Sequence, residues 1–290
     1  MIILPTRSTP VLCQGITSVS GATHTELAIA YGCKIVAGTS RDTNIKQFLN
    51  VPVFSSVKEA VKKTTPLISV IFSTPLRALE DVTEAIKAHI PTIICTTEHV
   101  PAQDILKMKE MADKYQVHLI GPSSLGIVRT EDCLVGNIPA HLFPKGHIGL
   151  IGRSSSLIYE AIQQLAQKKR GVSVCVSLGA GELMTTSFVP VLQAMLKDKE
   201  TKAILAIGQL HGLAEFELAE FYKKCRRKKP LAIYIPGKTL VAREKTPILG
   251  TTPLNPTHII AEKQAVLNKA GIRVIYSCED LGTFFQQTTP

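Results

Sequence analysis

Short apolar runs alternate along the chain with stretches whose apolar residues recur every three or four positions. The runs at 11–15, 34–38, 69–72, 92–95 and 117–121 are rich in Val, Ile, Leu and Cys. Runs of this length without a polar face predict strands buried on both sides, as in a parallel sheet. Between them the spacing predicts helices over 22–31, 57–63, 76–88 and 101–115. In 76–88 the apolar residues fall at 79, 82, 85 and 86, one face of a helix. Ser55-Ser56 precedes 57–63 as a cap. Strand followed by helix, repeated, implies parallel pairing through right-handed crossovers.

The rhythm fails between Val128 and Gly146, where Gly136, Pro139, Pro144 and Gly146 fall without a period. A domain boundary is expected there, giving domains 1–130 and 145–290. The alternation then restarts. Strands are predicted at 147–151, 172–178, 203–207, 231–235 and 272–276, and helices at 156–167, 189–196, 213–225 and 259–269. Ser277 would cap a last helix carrying Glu279 and Asp280 in its first turn. The expected fold class is α/β, two doubly wound domains in series. Ligands in such sheets sit at the carboxyl ends of the strands.

Composition narrows the classes. The chain has 290 residues, 45% hydrophobic and 19% charged. No apolar run reaches the ~18 residues of a membrane span, so no membrane role is expected despite a mean hydropathy of +0.17. The net charge is +10, and the densest basic run is Lys223-Lys224-Cys225-Arg226-Arg227-Lys228-Lys229. It ends a predicted helix, where cations suit the unpaired carbonyls. No aromatics interleave with it and the chain has no Trp, so nucleic acid is not an expected partner. Seven cysteines stand singly, with no Cys-x-x-Cys pair, which implies buried thiols in a reducing compartment and no metal site. The residues before the first strand leave no room for a signal peptide. The expected location is the cytoplasm, or the mitochondrial matrix if the chain is already processed.

The first strand leads into Gly15-Ile16-Thr17-Ser18-Val19-Ser20-Gly21. Glycines after the strand and at the helix start fit a phosphate-cradling turn, although the middle glycine of the dinucleotide fingerprint is missing. Further segments follow in order: His24-Thr25-Glu26, Val51-Pro52-Val53-Phe54, Thr96-Thr97-Glu98-His99-Val100-Pro101, Gly121-Pro122-Ser123-Ser124-Leu125-Gly126, and Gly152-Arg153-Ser154-Ser155-Ser156-Leu157-Ile158-Tyr159-Glu160. Their order and spacing resemble the α subunit of succinyl-CoA synthetase (succinate–CoA ligase) over essentially the whole chain. That resemblance implies an N-terminal Rossmann-like domain binding coenzyme A, followed by a flavodoxin-like domain, and a place in the tricarboxylic acid cycle. It also implies a β-type partner subunit supplying the ATP or GTP site with magnesium. A phosphorylated histidine of the α subunit relays the phosphoryl group in this family; imidazole suits this as a nucleophile near neutral pH.

Carried over residue by residue, the resemblance assigns CoA contacts to Thr17, Ser18, Val19, Ser20, Thr43, Thr96, Thr97 and Glu98. Ser18 replaces a glycine and is expected to crowd the turn. Arg41-Asp42-Thr43-Asn44-Ile45 replaces Pro-Gly-Lys-Gly-Gly, so Thr43 removes a cation that only Arg41 or Lys46 could replace. Ser154, Ser155 and Ser156 fall at a phosphate-binding helix start and Tyr159 at a substrate-contact position. Anchoring on Pro236-Gly237-Lys238-Thr239 and Glu262-Lys263 leaves one register without gaps, Pro247-Ile248-Leu249-Gly250, for the family's Gly-His-Ala-Gly. Ile248 therefore stands at the phosphohistidine position, and Gln209 stands where its orienting glutamate belongs. His258 and His211 are the candidate substitutes. The leading expectation is a degenerate α-type subunit or pseudo-enzyme with a weakened CoA site. Its rivals are an active ligase using a displaced histidine and a stand-alone CoA- or nucleotide-binding regulator. An NAD-dependent oxidoreductase ranks last, because Gly38-Thr39-Ser40 ends the second strand without an acidic residue.

Overall fold

A computed structural model describes residues 2–181, 183–210, 212–226, 228–237 and 256–283, with backbone alone for 256–258. The first half runs β1 (Val11–Gln14), α1 (Val19–Ala30), β2 (Ile35–Thr39), β3 (Gln47–Phe48), β4 (Val51–Phe54), α2 (Val57–Thr64), β5 (Ile68–Ile71), α3 (Ala78–Lys87), β6 (Thr92–Cys95), α4 (Ala102–Tyr115) and β7 (His118–Ile120). Its sheet has the order β3-β4-β2-β1-β5-β6-β7. Every pairing in it is parallel except β3 with β4. The order reverses at β1, which lies between β2 and β5, so the loops after these three strands converge on one crevice.

The second half runs β8 (Gly126–Arg129), β9 (Cys133–Gly136), β10 (Lys145–Gly152), α5 (Ser155–Gln167), β11 (Val172–Ser177), α6 (Phe188–Lys197), β12 (Ala203–Ile207), α7 (Ala214–Lys224), β13 (Leu231–Tyr234), α8 (Pro256–Lys269) and β14 (Arg273–Ile275). Its sheet has the order β14-β13-β12-β10-β11-β8-β9. Two parallel-rich α/β sheets are thus present, as the alternation predicts. Strands such as Val11–Gln14, Ile68–Ile71 and Ala203–Ile207 are buried along their whole length, which is why they read as unbroken apolar runs.

Four details differ from the pattern. No strand was expected between 38 and 69, where the antiparallel β3–β4 ribbon stands. The stretch between 121 and 147, where no strand was expected, holds the β8–β9 hairpin, whose β8 pairs antiparallel with β11. Its strands are four residues each around a polar turn, too short for a period to stand out. Helix α1 starts at Val19, three residues earlier than 22, because the Ser18 hydroxyl caps it by accepting from the Gly21 amide at 3.1 Å. The predicted last helix is a single 3-10 turn at Cys278–Asp280, capped by Ser277.

The hairpin ties the two sheets together. Arg129, 5% exposed, donates to the Pro5 carbonyl at 2.9 Å and pairs with Asp198 at 3.1 Å. The Cys33 thiol donates to the Leu134 carbonyl and accepts from its amide. His24 on α1 is buried, with Nδ1 donating to the Gly136 carbonyl at 3.1 Å and its ring against Phe72. Its Nε2 is buried without a partner.

Burial pushes the His24 imidazole down from 6.5 to about 4, and the Gly136 hydrogen bond only partly opposes this. The unfolded ring therefore binds its proton at higher pH than the folded one. Stability from this residue is present above pH 6.5 and falls as pH drops toward 4, by about 3 kcal/mol at most. Urea midpoints measured between pH 7 and pH 4.5 are expected to fall, and His24→Gln is expected to flatten that slope. An unchanged slope in the variant would assign the acid sensitivity elsewhere.

Candidate functional site

The turn from β1 to α1 is set by two glycines. Gly15 has φ +72°, and a Cβ there would lie 2.2 Å from the Phe72 carbonyl oxygen. A Cβ on Gly21 would lie 2.1 Å from the Gly15 carbonyl oxygen. Only glycine allows the helix start, the turn and the β5 loop to close up in this way. Ser18 does not require glycine, since its φ is −69°. Its hydroxyl folds back, donating to the Gly15 carbonyl at 2.8 Å while capping α1. The expected crowding is thereby converted into a cap. The Thr17 and Ser40 hydroxyls bond at 2.8 Å across the crevice between β1 and β2.

A cavity of about 480 Å³ opens at this turn, walled by Thr17, Ser40, Arg41, Ser73 and the acidic face of α3. A second, of about 420 Å³, continues from it past Ser18, Val19 and Ser20 to Thr96, Thr97, Glu98 and Asn137. The two share Ser18, Phe72, Ser73 and Thr74 and form one groove. Thr96 donates to the Ile71 carbonyl at 2.8 Å and Thr97 to the Ser73 carbonyl at 3.2 Å. The predicted residues Thr17 to Ser20 and Thr96 to Glu98 thus come together. Thr43 and Lys46 line an adjoining hollow of about 430 Å³ beside β4, which meets the first cavity at Ser40, Asp42 and Ser55.

The residues that the sequence reading missed lie after β5. Glu80, Asp81 and Glu84 line the first cavity beside Arg77. Arg41 pairs with Glu80 at 2.9 Å and with Asp81 at 3.4 Å, and Ser73 donates a short hydrogen bond to Asp81. On the sequence these carboxylates look like the solvated face of a helix, two of them in its first turn. Only the adjacency of β5 to β1 brings them to the turn.

The second half places the predicted serines at the start of α5. The Ser154 hydroxyl accepts from the Leu157 amide at 3.4 Å, while Ser155 and Ser156 are exposed. Tyr159 is half-buried against the core, and burial raises its phenol. The groove connects to this site through loops. The Ser123 amide donates to the Thr97 carbonyl at 2.9 Å, the Gly121 amide to the Leu178 carbonyl at 3.2 Å, and Arg153 to the Gly181 carbonyl.

Gln209 donates through Nε2 to the Arg153 carbonyl at 3.4 Å, which sets its side chain against the serine turn. Its backbone is clamped. The Gln209 amide donates to Glu215 at 2.8 Å, and Lys263 Nζ donates to the Gln209 carbonyl at 3.0 Å. Glu215 and Lys263 pair at 2.6 Å, both side chains 0% exposed. Burial pushes the Lys263 ammonium down, opposed by the Glu215 charge. Arg153 is also lowered by burial, and its Nε finds no partner among the described residues. Ile248 and His211 lie outside the described residues. His258 is the third residue of α8, within a helix where a loop was expected. Among the described residues no group of three His, Cys, Asp or Glu is placed to hold a metal, and no helix is long and apolar enough to cross a membrane.

The glycine-tight turn at the switch point of a parallel sheet, with a serine-capped helix in a second parallel-rich sheet, defines a two-part doubly wound α/β protein with a nucleotide-type turn. Residues 6–99 match the CoA binding domain family and residues 145–287 the succinyl-CoA ligase like flavodoxin domain family. The succinate–CoA ligase [ADP-forming] subunit alpha of Staphylococcus aureus is 33% identical over 283 residues, covering 98% of this chain and 93% of its own. That of Staphylococcus epidermidis is 32% identical over the same length. Among solved structures, the ATP citrate lyase of Methanothrix soehngenii in complex with citrate and coenzyme A superimposes with a TM-score of 0.82 at 19% identity. The match covers 98% of this chain and 50% of the lyase chain. A dinucleotide-forming acetyl-coenzyme A synthetase of Korarchaeum cryptofilum gives 0.77 at 16% identity, covering 95% of this chain and 59% of that one. The chain belongs to the succinate–CoA ligase α-subunit family.

Lys263→Met is expected to leave the Glu215 carboxylate buried without its counter-charge and to cost about 3–5 kcal/mol. Pairing it with Glu215→Gln should recover part of that loss. Denaturant midpoints with an unchanged slope provide the measurement. A single variant as stable as the parent would mean the pair is not the constraint described.

Proposed function

We propose that this chain is a catalytically degenerate α-type subunit of a CoA ligase complex. The groove from Thr17 to Glu98 takes a coenzyme A-type ligand, with a weakened hold on its phosphates because Thr43 supplies no cation. Residues 1–130 serve this purpose, and 145–290 keep the scaffold of the ligase half. A β-type partner supplies the nucleotide site with magnesium and ATP or GTP. The observation that carries the reading is the pairing of Ile248 at the phosphohistidine position with Gln209 at its glutamate partner.

Covalent phosphoryl transfer requires a nucleophile within ~3–3.5 Å of phosphorus and stabilisation of its charged form. Isoleucine has no lone pair to offer. Glutamine, with no charge, does less than glutamate to favour imidazolium. The anion-binding parts are retained, with three serines at the start of α5 and Arg153 behind them. Loss of both members of one catalytic pair beside a preserved cradle is what relaxed selection on the relay alone would leave.

Incubation with labelled ATP or GTP, magnesium and a competent β-type subunit is expected to leave the chain unlabelled. Ile248→His alone should restore little, and Ile248→His with Gln209→Glu should label. Acid-labile label on His258 or His211 of the parent chain would revive the displaced-histidine ligase and sink the degenerate reading.

The partner is tested separately. The chain is expected to co-elute with a β-type subunit of the same cell on native gel filtration. A monomer that ignores every such subunit would favour the stand-alone regulator.

A further inference from the structure

The wall of the CoA-type groove is charged in an unexpected sense. The turn at Gly15 to Ser18 and the start of α1 form its middle, where a diphosphate is held by such turns. One arm runs past Thr96 and Thr97 toward the loop at Ser123, and so toward the ligase half. The other arm lies at the end of β2, where the adenosine ribose sits in folds of this topology. That arm is lined by two cations, Arg41 and Arg77, and by four carboxylates, Asp42, Glu80, Asp81 and Glu84. Arg41 is the cation best placed to receive a phosphate, yet its guanidinium is already divided between Glu80 at 2.9 Å and Asp81 at 3.4 Å. Arg77 faces Glu80 at 3.5 Å. Asp81 is further fixed by the Ser73 hydroxyl.

At the end of the second strand of such folds a carboxylate selects ribose hydroxyls, whereas an uncommitted arginine accommodates a ribose phosphate; here α3 brings the carboxylates there, paired with Arg41. Resting on the reading of this groove as a CoA-type site, we propose that Glu80 and Asp81 make it select an adenosine diphosphate whose ribose carries a free 3′-hydroxyl. Dephospho-coenzyme A has that hydroxyl. Coenzyme A has a phosphomonoester dianion in its place. The free hydroxyl donates to the carboxylates at no electrostatic cost. The dianion would have to displace two carboxylates from Arg41 and remain beside them. Both pairs are partly exposed, so the discrimination is moderated by solvent and weakens as salt rises.

Calorimetric titration of the full chain at low salt with coenzyme A, dephospho-coenzyme A and NAD tests this. Dephospho-coenzyme A is expected to bind about tenfold tighter than coenzyme A, and the ratio should shrink on adding salt. NAD shares the free ribose but lacks the pantetheine arm, and is expected to bind more weakly than dephospho-coenzyme A. Glu80→Gln with Asp81→Asn frees Arg41 and should narrow or invert the preference, chiefly by strengthening coenzyme A.

Coenzyme A binding as tightly as its dephospho form would overturn the selectivity and leave the CoA-type reading standing. Absence of binding by either at millimolar concentration would remove both. NAD binding tighter than dephospho-coenzyme A would overturn the assignment of the second arm. A preference unchanged in the double variant would overturn the roles given to Glu80 and Asp81.

Discussion

Glu215 and Lys263 lie wholly out of water, on two different helices of the second half. Their attraction alone would not offset the loss of hydration. What makes the pair tolerable is that the surrounding backbone completes it. The Gln209 amide satisfies the other carboxylate oxygen and the Gln209 carbonyl takes a further ammonium proton. A buried pair of this kind is strongly position-specific, because any displacement of the loop after β12 leaves a charge unmet. Helix α7, helix α8 and the loop that faces the serine turn are therefore fixed relative to one another through main-chain groups. The side chain at 209 is not part of that constraint. Glutamate and glutamine can exchange there without disturbing the clamp, so the chemistry of the position is free to change while its geometry is held.

The same separation of scaffold from chemistry marks the first half. The approach of Gly15, Gly21 and Phe72 is steric and admits no side chain. The groove's polarity is set by residues that the approach does not involve. Thr17 and Ser40 supply hydroxyls, and Arg41 is committed to Glu80 and Asp81 across the crevice. The turn can thus keep its steric form while the charge balance of the neighbouring wall changes independently.

Much of this was legible along the chain. Fully buried parallel strands leave runs that need no partner information to recognise, and the segments around Gly15, Thr96 and Gly152 stand in an order that few families share. The β8–β9 hairpin was missed because four-residue antiparallel strands around Thr130-Glu131-Asp132 have neither a helical nor a sustained alternating period. The α3 carboxylates were missed for a different reason. Their position beside the turn depends on strand order, a property of the sheet and not of any local window. Thr43 lies in the stretch before the short β3–β4 ribbon, in a hollow that adjoins the groove at Ser40, Asp42 and Ser55. Lys263 served as an anchor for the register, and nothing in its exposed-looking helical context signalled complete burial.

The two kinds of position respond differently to relaxed selection. On the proposed reading, a nucleophile such as the histidine expected at 248 contributes to the reaction and little to folding, so isoleucine there carries no large penalty in stability. Lys263 and Glu215 contribute to folding whether or not phosphoryl is transferred, since either one alone is an uncompensated buried charge. Gly15 and Gly21 are held by contact distances that no other residue can meet. A chain released from the relay but still needed as a folded partner should therefore lose residues at 248 and 209 while retaining 15, 21, 215 and 263. That distribution is what the proposed loss of the relay predicts, and it follows from which residues the fold itself requires.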